Sequence, residues 1–171
     1  MQSTVLVVAV GILALIAYGD LRLRRIPNAL SLAIATLGLA HLALAHDAAA
    51  AGHTLAAASV TFTVTLLLFW RGVIGGGDAK LLAAVVLLIG HQELLGFLFL
   101  MSLCGGALAV AILARDQLRL QYWRLFRLAR LPPSTEAAGS ITAPVESTVP
   151  YGVAIAAAGV ITLILKTPLA R

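Results

Sequence analysis

The sequence predicts an all-α, polytopic membrane bundle of about six transmembrane helices, and three observations carry that prediction. Apolar residues make up 61% of the 171 and charged residues only 11%, and the mean hydropathy of +1.01 lies far above that of a water-soluble domain. The apolar residues fall into long uncharged runs parted by short polar breaks, most of them near the roughly 20 residues that a helix needs to cross a hydrocarbon core. The basic residues sit in the breaks and not on one folded face, so the net charge of +5 reads as membrane topology with lipid as the partner, and nucleic acid is excluded. The single cysteine, Cys104, lies inside an apolar run, which rules out an intrachain disulfide and a Cys-x-x-Cys zinc site. The whole chain, 1–171, reads as a single membrane-embedded domain.

The first run, residues 1–19, carries no charged side chain and ends in Ala17-Tyr18-Gly19-Asp20. It lacks both the basic start and the small-x-small cleavage site of a signal peptide, so it is expected to be a retained span. A basic loop follows, Arg22, Arg24 and Arg25 leading to Ile26-Pro27-Asn28, where the proline suits a helix start. Residues 26–46 form the second run and residues 48–70 the third, the latter closing on Phe69 and Trp70 as interfacial aromatics do.

The stretch Gly75-Gly76-Gly77-Asp78-Ala79-Lys80 then interrupts the apolar pattern. Glycines permit close approach of another chain, and an aspartate at a helix start can cap free N–H groups. Beyond it only residues 81–92 separate Lys80 from Glu93. At about 1.5 Å per residue they cover about 18 Å of a hydrocarbon core about 30 Å thick. A polar group is therefore expected below the surface, and the glycine-rich start is the better candidate, since irregular backbone is tolerated at depth where protein buries it.

Residues 94–114 form a fifth run containing Gly105-Gly106, suited to close helix packing. Residues 115–148 read as a basic loop. Its first half, with Arg115, Arg119, Arg124, Arg127 and Arg130, is either a basic amphipathic helix on the anionic leaflet or a helical extension of the fifth span. Pro132-Pro133 and the polar residues after them read as irregular chain. Residues 147–165 give the sixth run, opened by Pro150-Tyr151-Gly152.

In a six-span arrangement nearly all the basic residues fall on one side, leaving Lys166 and Arg171 on the other, so the first side is expected to be cytoplasmic and both termini outside. Asp20 and Asp78, remote in sequence, then share the cytoplasmic face. Two carboxylates meeting in a partly desolvated site cannot both ionise cheaply, so one keeps a proton and the pair holds an acid and a base together. Such a pair can activate water against a peptide carbonyl without a covalent intermediate. No metal and no cofactor is expected: His41, His46, His53 and His91 fall toward the opposite face at spacings typical of interfacial polar residues.

Asp20 with the basic segment ending in Ile26-Pro27-Asn28, then Gly75-Gly76-Gly77-Asp78-Ala79-Lys80, then Val149-Pro150-Tyr151-Gly152, together resemble the type IV prepilin peptidases, the GxGD aspartic membrane proteases. The resemblance covers essentially the whole chain in order and spacing. It implies removal of the leader from prepilin or pseudopilin precursors, with their basic leader and hydrophobic helix, on the cytoplasmic side of the bacterial inner membrane, with Asp20 and Asp78 catalytic. The larger family members add a domain with paired Cys-x-x-Cys motifs associated with methylation. Its expected absence makes this chain similar to the short Flp/Tad-type subgroup, so methyltransferase activity is not expected. Gly75 and Gly77 are supporting candidates that allow Asp78 or a substrate backbone to approach. Lys80 either biases the aspartate pair or anchors its helix at the headgroups. The competing readings are a small proton-coupled transporter, since intramembrane acids often mark ion paths, and a non-catalytic assembly subunit.

Overall fold

The computed structural model describes residues 2–23, 26–44, 47–129 and 151–166. These form six α-helices: α1 (Gln2–Leu23), α2 (Asn28–Leu44), α3 (Ala48–Trp70), α4 (Gly76–Ile89), α5 (Leu94–Ala129) and α6 (Tyr151–Lys166). A 3₁₀ turn, His91–Glu93, precedes α5, and no strand occurs among the described residues. The all-α bundle expected from the sequence is therefore the observed fold. Thr4–Leu23, Ala48–Trp70 and His91–Arg115 are long and apolar enough to cross a membrane, whereas α2, α4 and α6 are shorter. The long helices keep large apolar side chains on the outside, among them Val7, Leu15, Leu67 and Phe99. An apolar exterior over an apolar core suits hydrocarbon as the surrounding solvent.

The shortest of the six helices, α4, organises the bundle. Beyond Lys80 it is apolar all round and largely buried: Leu81, Val85, Val86 and Ile89 have no exposed surface. A helix without a polar face belongs in an interior. Both α2 and α3 pack along it, while α6 touches it and pairs with α1. The α2 contact is close enough that a methyl on Gly38 would lie 2.9 Å from the Leu88 backbone nitrogen, so only glycine lets these backbones meet.

This enclosure explains why so short an apolar run suffices. Neighbouring helices wrap α4, so protein groups rather than water satisfy its ends. At the C-terminal end the Lys166 ammonium donates to the Ile89 carbonyl at 2.6 Å, and Gly90, at φ 89°, turns the chain into the 3₁₀ segment. Polar side chains on α3 are likewise satisfied internally. Ser59, Thr61, Thr63 and Thr65 each donate to the carbonyl four residues back, and the Asp47 carboxylate caps the helix by accepting from the Ala49 and Ala50 N–H groups.

Two boundaries differ from the sequence expectation, and a third matches one of the two readings given for residues 115–130. Helix α1 continues past residue 19 to Leu23, so Asp20 lies within a helix and not after one. Gly76 and Gly77 belong to the first turn of α4, with Gly75 as its N-cap, so the glycines open the helix rather than link to it. Helix α5 runs unbroken through Ala129, which makes residues 115–129 helical in continuity with the fifth span. The rest of the 115–148 segment, Arg24, Arg25, His46 and Pro150 lie outside the described residues. By packing, the described residues up to Gly105 together with α6 form one compact unit, and the described residues from Gly106 on form a second, the remainder of α5.

Candidate active site

One end of the first unit gathers the end of α1, the Ile26-Pro27 link, the end of α3 and the starts of α4 and α6. Both aspartates stand there. Asp20, in the last turn of α1, is only 6% exposed. Its Oδ2 accepts the Val153 backbone N–H at 3.2 Å, so the carboxylate sits on the first turn of α6. The N-terminal N–H groups of a helix have no partner within it and carry the positive end of the helix dipole, which makes that turn a natural seat for a carboxylate.

Close approach at this seat depends on one residue. A methyl on Gly152 would stand 2.8 Å from Asp20 Oδ2 and 2.8 Å from Ile26 Cδ1. Both contacts lie below any sustainable separation, so the start of α6 meets Asp20 and Ile26 through bare backbone.

Asp78 occupies the third helical position of α4 and is half-buried. Its side chain folds back so that the Gly75 N–H donates to it, the arrangement by which an acid in a first turn satisfies the N-cap amide. A methyl on Gly75 would lie 3.1 Å from Asp78 Oδ2. The Asp78 carboxylate lies near enough to Asp20 for their charges to interact. Two acids remote in the chain thus come within electrostatic reach of one another, each held at a helix N-terminus.

Ile26 fixes the spacing between these helix starts. Its side chain contacts the position of Gly152 and also that of Gly77, where an added methyl would come 3.3 Å from Ile26 Cβ. Gly77 accordingly makes room for Ile26, and Gly75 makes room for the Asp78 carboxylate. Phe69, at the end of α3, covers Gly76 in the same way, its ring 3.2 Å from where a methyl would be.

Lys80 points elsewhere. Its ammonium donates to Asn28 Oδ1 at 3.2 Å, tying α4 to the first residue of α2. Of the supporting residues named from the sequence, Gly75 adjoins the Asp78 carboxylate, Gly77 adjoins Ile26, and Lys80 belongs to the neighbouring α2 contact. Val153, Gly152 and Ile26 complete the surroundings of Asp20. Gly152 and Ile26 carried a sequence signal only as parts of motifs, and Val153 acts through its backbone and carried none.

Of the described histidines, His53 and His91 lie at the opposite end of the bundle. Their rings are 5.4 Å apart, and Thr54 Oγ1 joins the cluster, 3.2 Å from His91 Nδ1. Among the described residues no three His, Cys, Asp or Glu side chains gather as a metal-binding group.

The family model described as the type IV leader peptidase family matches residues 7–110, a stretch that contains Asp20, Asn28 and the whole Gly75 to Lys80 motif. No curated protein and no solved structure gives a match.

Proposed function

This chain belongs to the type IV leader peptidase family, and from that premise we propose that it is an aspartic endopeptidase in which Asp20 and Asp78 are the catalytic pair. The substrate is a prepilin of the Flp/Tad type, cleaved at the cytoplasmic face of the inner membrane, and methyl transfer is not part of the activity. The observation that supports this reading best is the placement of two carboxylates, from α1 and α4, within electrostatic reach at one end of a largely apolar bundle, around the shared Ile26 contact.

The chemistry follows from one proton shared by two carboxyl groups. The ionised aspartate takes a proton from water as its oxygen bonds to the scissile carbonyl carbon, and the protonated aspartate gives its proton to the carbonyl oxygen. In the tetrahedral diol the newly protonated aspartate then delivers its proton to the amide nitrogen. The C–N bond breaks, and a diol hydroxyl returns a proton to the other carboxylate, restoring the starting state. Gly75 and Gly77 keep the start of α4 slim enough for Asp78 and Ile26 to close on it.

A proton-coupled carrier would be expected to carry its polar groups near mid-bilayer, whereas these acids cluster at one end, which favours the peptidase. The test incubates the purified protein with pilin-like precursors encoded by the same genome and compares wild type with Asp20→Asn and Asp78→Asn. Leader removal by wild type and its loss in both variants, each still folded, is the expected result. Cleavage persisting in either variant would remove that residue from the catalytic pair. A wild type that cleaves nothing but shows ion-dependent uptake would replace the peptidase with a carrier.

A further inference from the structure

Two motif residues take no part in the acid pair, Asn28 of Ile26-Pro27-Asn28 and Lys80 of the glycine motif, and their hydrogen bond forms the polar rim of an apolar slot between α2, α3 and α4. The slot has a volume of about 560 Å³ and is walled by residues that include Leu55, Phe62, Ala83 and Leu87. It opens sideways: Leu32 on one lip is 64% exposed, and Leu55 and Phe62 on the other are 44% and 40% exposed. We infer that this slot docks one face of the substrate's apolar helix, with Asn28 and Lys80 receiving the polar backbone where that helix begins, an inference that rests on the peptidase reading.

Shape supports this occupant. From Lys80 to Leu87 a helix rises about 10 Å, so the slot volume corresponds to a mean cross-section of about 55 Å². That is about half the cross-section of an α-helix, whose diameter with side chains is about 10–12 Å. One face of a helix over two turns fits, and the other face stays in lipid through the open side. Anchoring by side chains at i, i+3, i+4 and i+7 is how an apolar helix lies in a groove.

The rim chemistry points the same way. The first N–H groups of a helix have no internal partner, and the extended residues before it expose both N–H and C=O groups. Inside a membrane edge these need protein partners. The Asn28 side chain offers an acceptor oxygen and two N–H donors, and the Lys80 ammonium carries three N–H donors of which one serves Asn28. Lys80 lies only about 3 Å further along α4 than Asp78, though on another side of the helix, and its partner Asn28 follows closely on Ile26, which packs at Gly77 and Gly152 beside the acids. A peptide held at the aspartates thus has its next segment at the slot's rim, and the enzyme would select a cleavage point just ahead of an apolar helix.

Photo-cross-linking and kinetics test this together. Benzoylphenylalanine placed at residue 55 or 62 of the Asp78→Asn protein is expected to cross-link the precursor, while the same probe at the more exposed positions 7 and 99 is not. Filling the slot by Ala83→Phe is expected to raise KM for the full precursor about tenfold or more, the scale of a 1–3 kcal/mol packing conflict. It leaves kcat/KM unchanged for a short peptide that spans the cleavage point but lacks the apolar helix. Adducts formed only with phospholipid, equal cross-linking at the control positions, or Ala83→Phe affecting both substrates alike or neither would overturn the inference while wild-type cleavage still upheld the peptidase. A wild type that cleaves no precursor would overturn both.

Discussion

Replacing Gly152 with alanine tests the closest contact in the site. The new methyl would stand 2.8 Å from Asp20 Oδ2, 3.0 Å from its Cγ and 2.8 Å from Ile26 Cδ1. The Ile26 end can swing aside at about 0.5–1.5 kcal/mol for an off-rotamer side chain. The carboxylate has less freedom, because moving away stretches its 3.2 Å bond from the Val153 N–H. A hydrogen bond to a charged group contributes about 1.5–3 kcal/mol. Alanine returns about 1 kcal/mol of helix propensity over glycine, so the losses exceed the gain by about 1–3 kcal/mol. Because the displaced group is a proposed catalytic carboxylate, precursor cleavage is expected to fall about tenfold to a hundredfold, at 1.36 kcal/mol per factor of ten. The thermal midpoint in detergent falls only modestly. Gly11→Ala, on the same helix as Asp20 but with nothing within 4 Å of its added methyl, serves as the control and keeps full activity. Wild-type cleavage by Gly152→Ala would refute the reasoning, since it would mean that the seat of Asp20 on α6 has no part in catalysis.

Other substitutions separate packing from chemistry. Gly77→Ala crowds Ile26 Cβ at 3.3 Å and is expected to slow cleavage severalfold; Ile26→Gly in the same chain removes that Cβ and relieves the crowding, so the double variant recovers part of the loss that a strictly additive pair would not. Lys166→Met removes the 2.6 Å bond to the Ile89 carbonyl and is expected to cost about 1–3 kcal/mol of stability, seen as a lower unfolding midpoint with unchanged cleavage per folded molecule. Thr54→Val breaks the contacts to the His91 ring and backbone and is expected to act on stability alone, because that cluster lies at the end remote from the acids. An aspartate pair that works with one proton loses its base at low pH and its acid at high pH, so kcat/KM against pH is expected to be bell-shaped, and a plateau on either side would exclude the shared-proton mechanism.

Much of the fold was legible because lipid imposes a simple pattern. The uncharged runs located the helices. The brevity of the run after Lys80 singled out α4 as unusual, yet only packing explains it: the run is short because neighbours enclose it, a fact spread over residues in α2, α3 and α6. The glycines before Asp78 marked a close approach correctly but not its partners, since Phe69 and Ile26 look like any other apolar residues in a membrane chain. Lys80 illustrates the limit most directly. Its place two residues after Asp78 suggests a neighbour in sequence terms, but positions two apart on a helix do not face each other. Its ammonium therefore reaches α2, not the acid on its own helix.

Bringing two carboxylates together in an apolar bundle is unfavourable unless polar groups meet them, and here backbone supplies those groups. Asp78 is held by the first turn of its own helix, through an amide three residues away. Asp20 is held by the first turn of α6, through Val153, and so depends on how α6 packs against α1. The two seats therefore respond to different disturbances. Changes in α6 reach the pair through Asp20, and changes at the Phe69 and Gly76 contact reach it through Asp78. Ile26 touches both helix starts, at Gly77 and at Gly152, which makes this apolar side chain a gauge of how closely α4 and α6 approach.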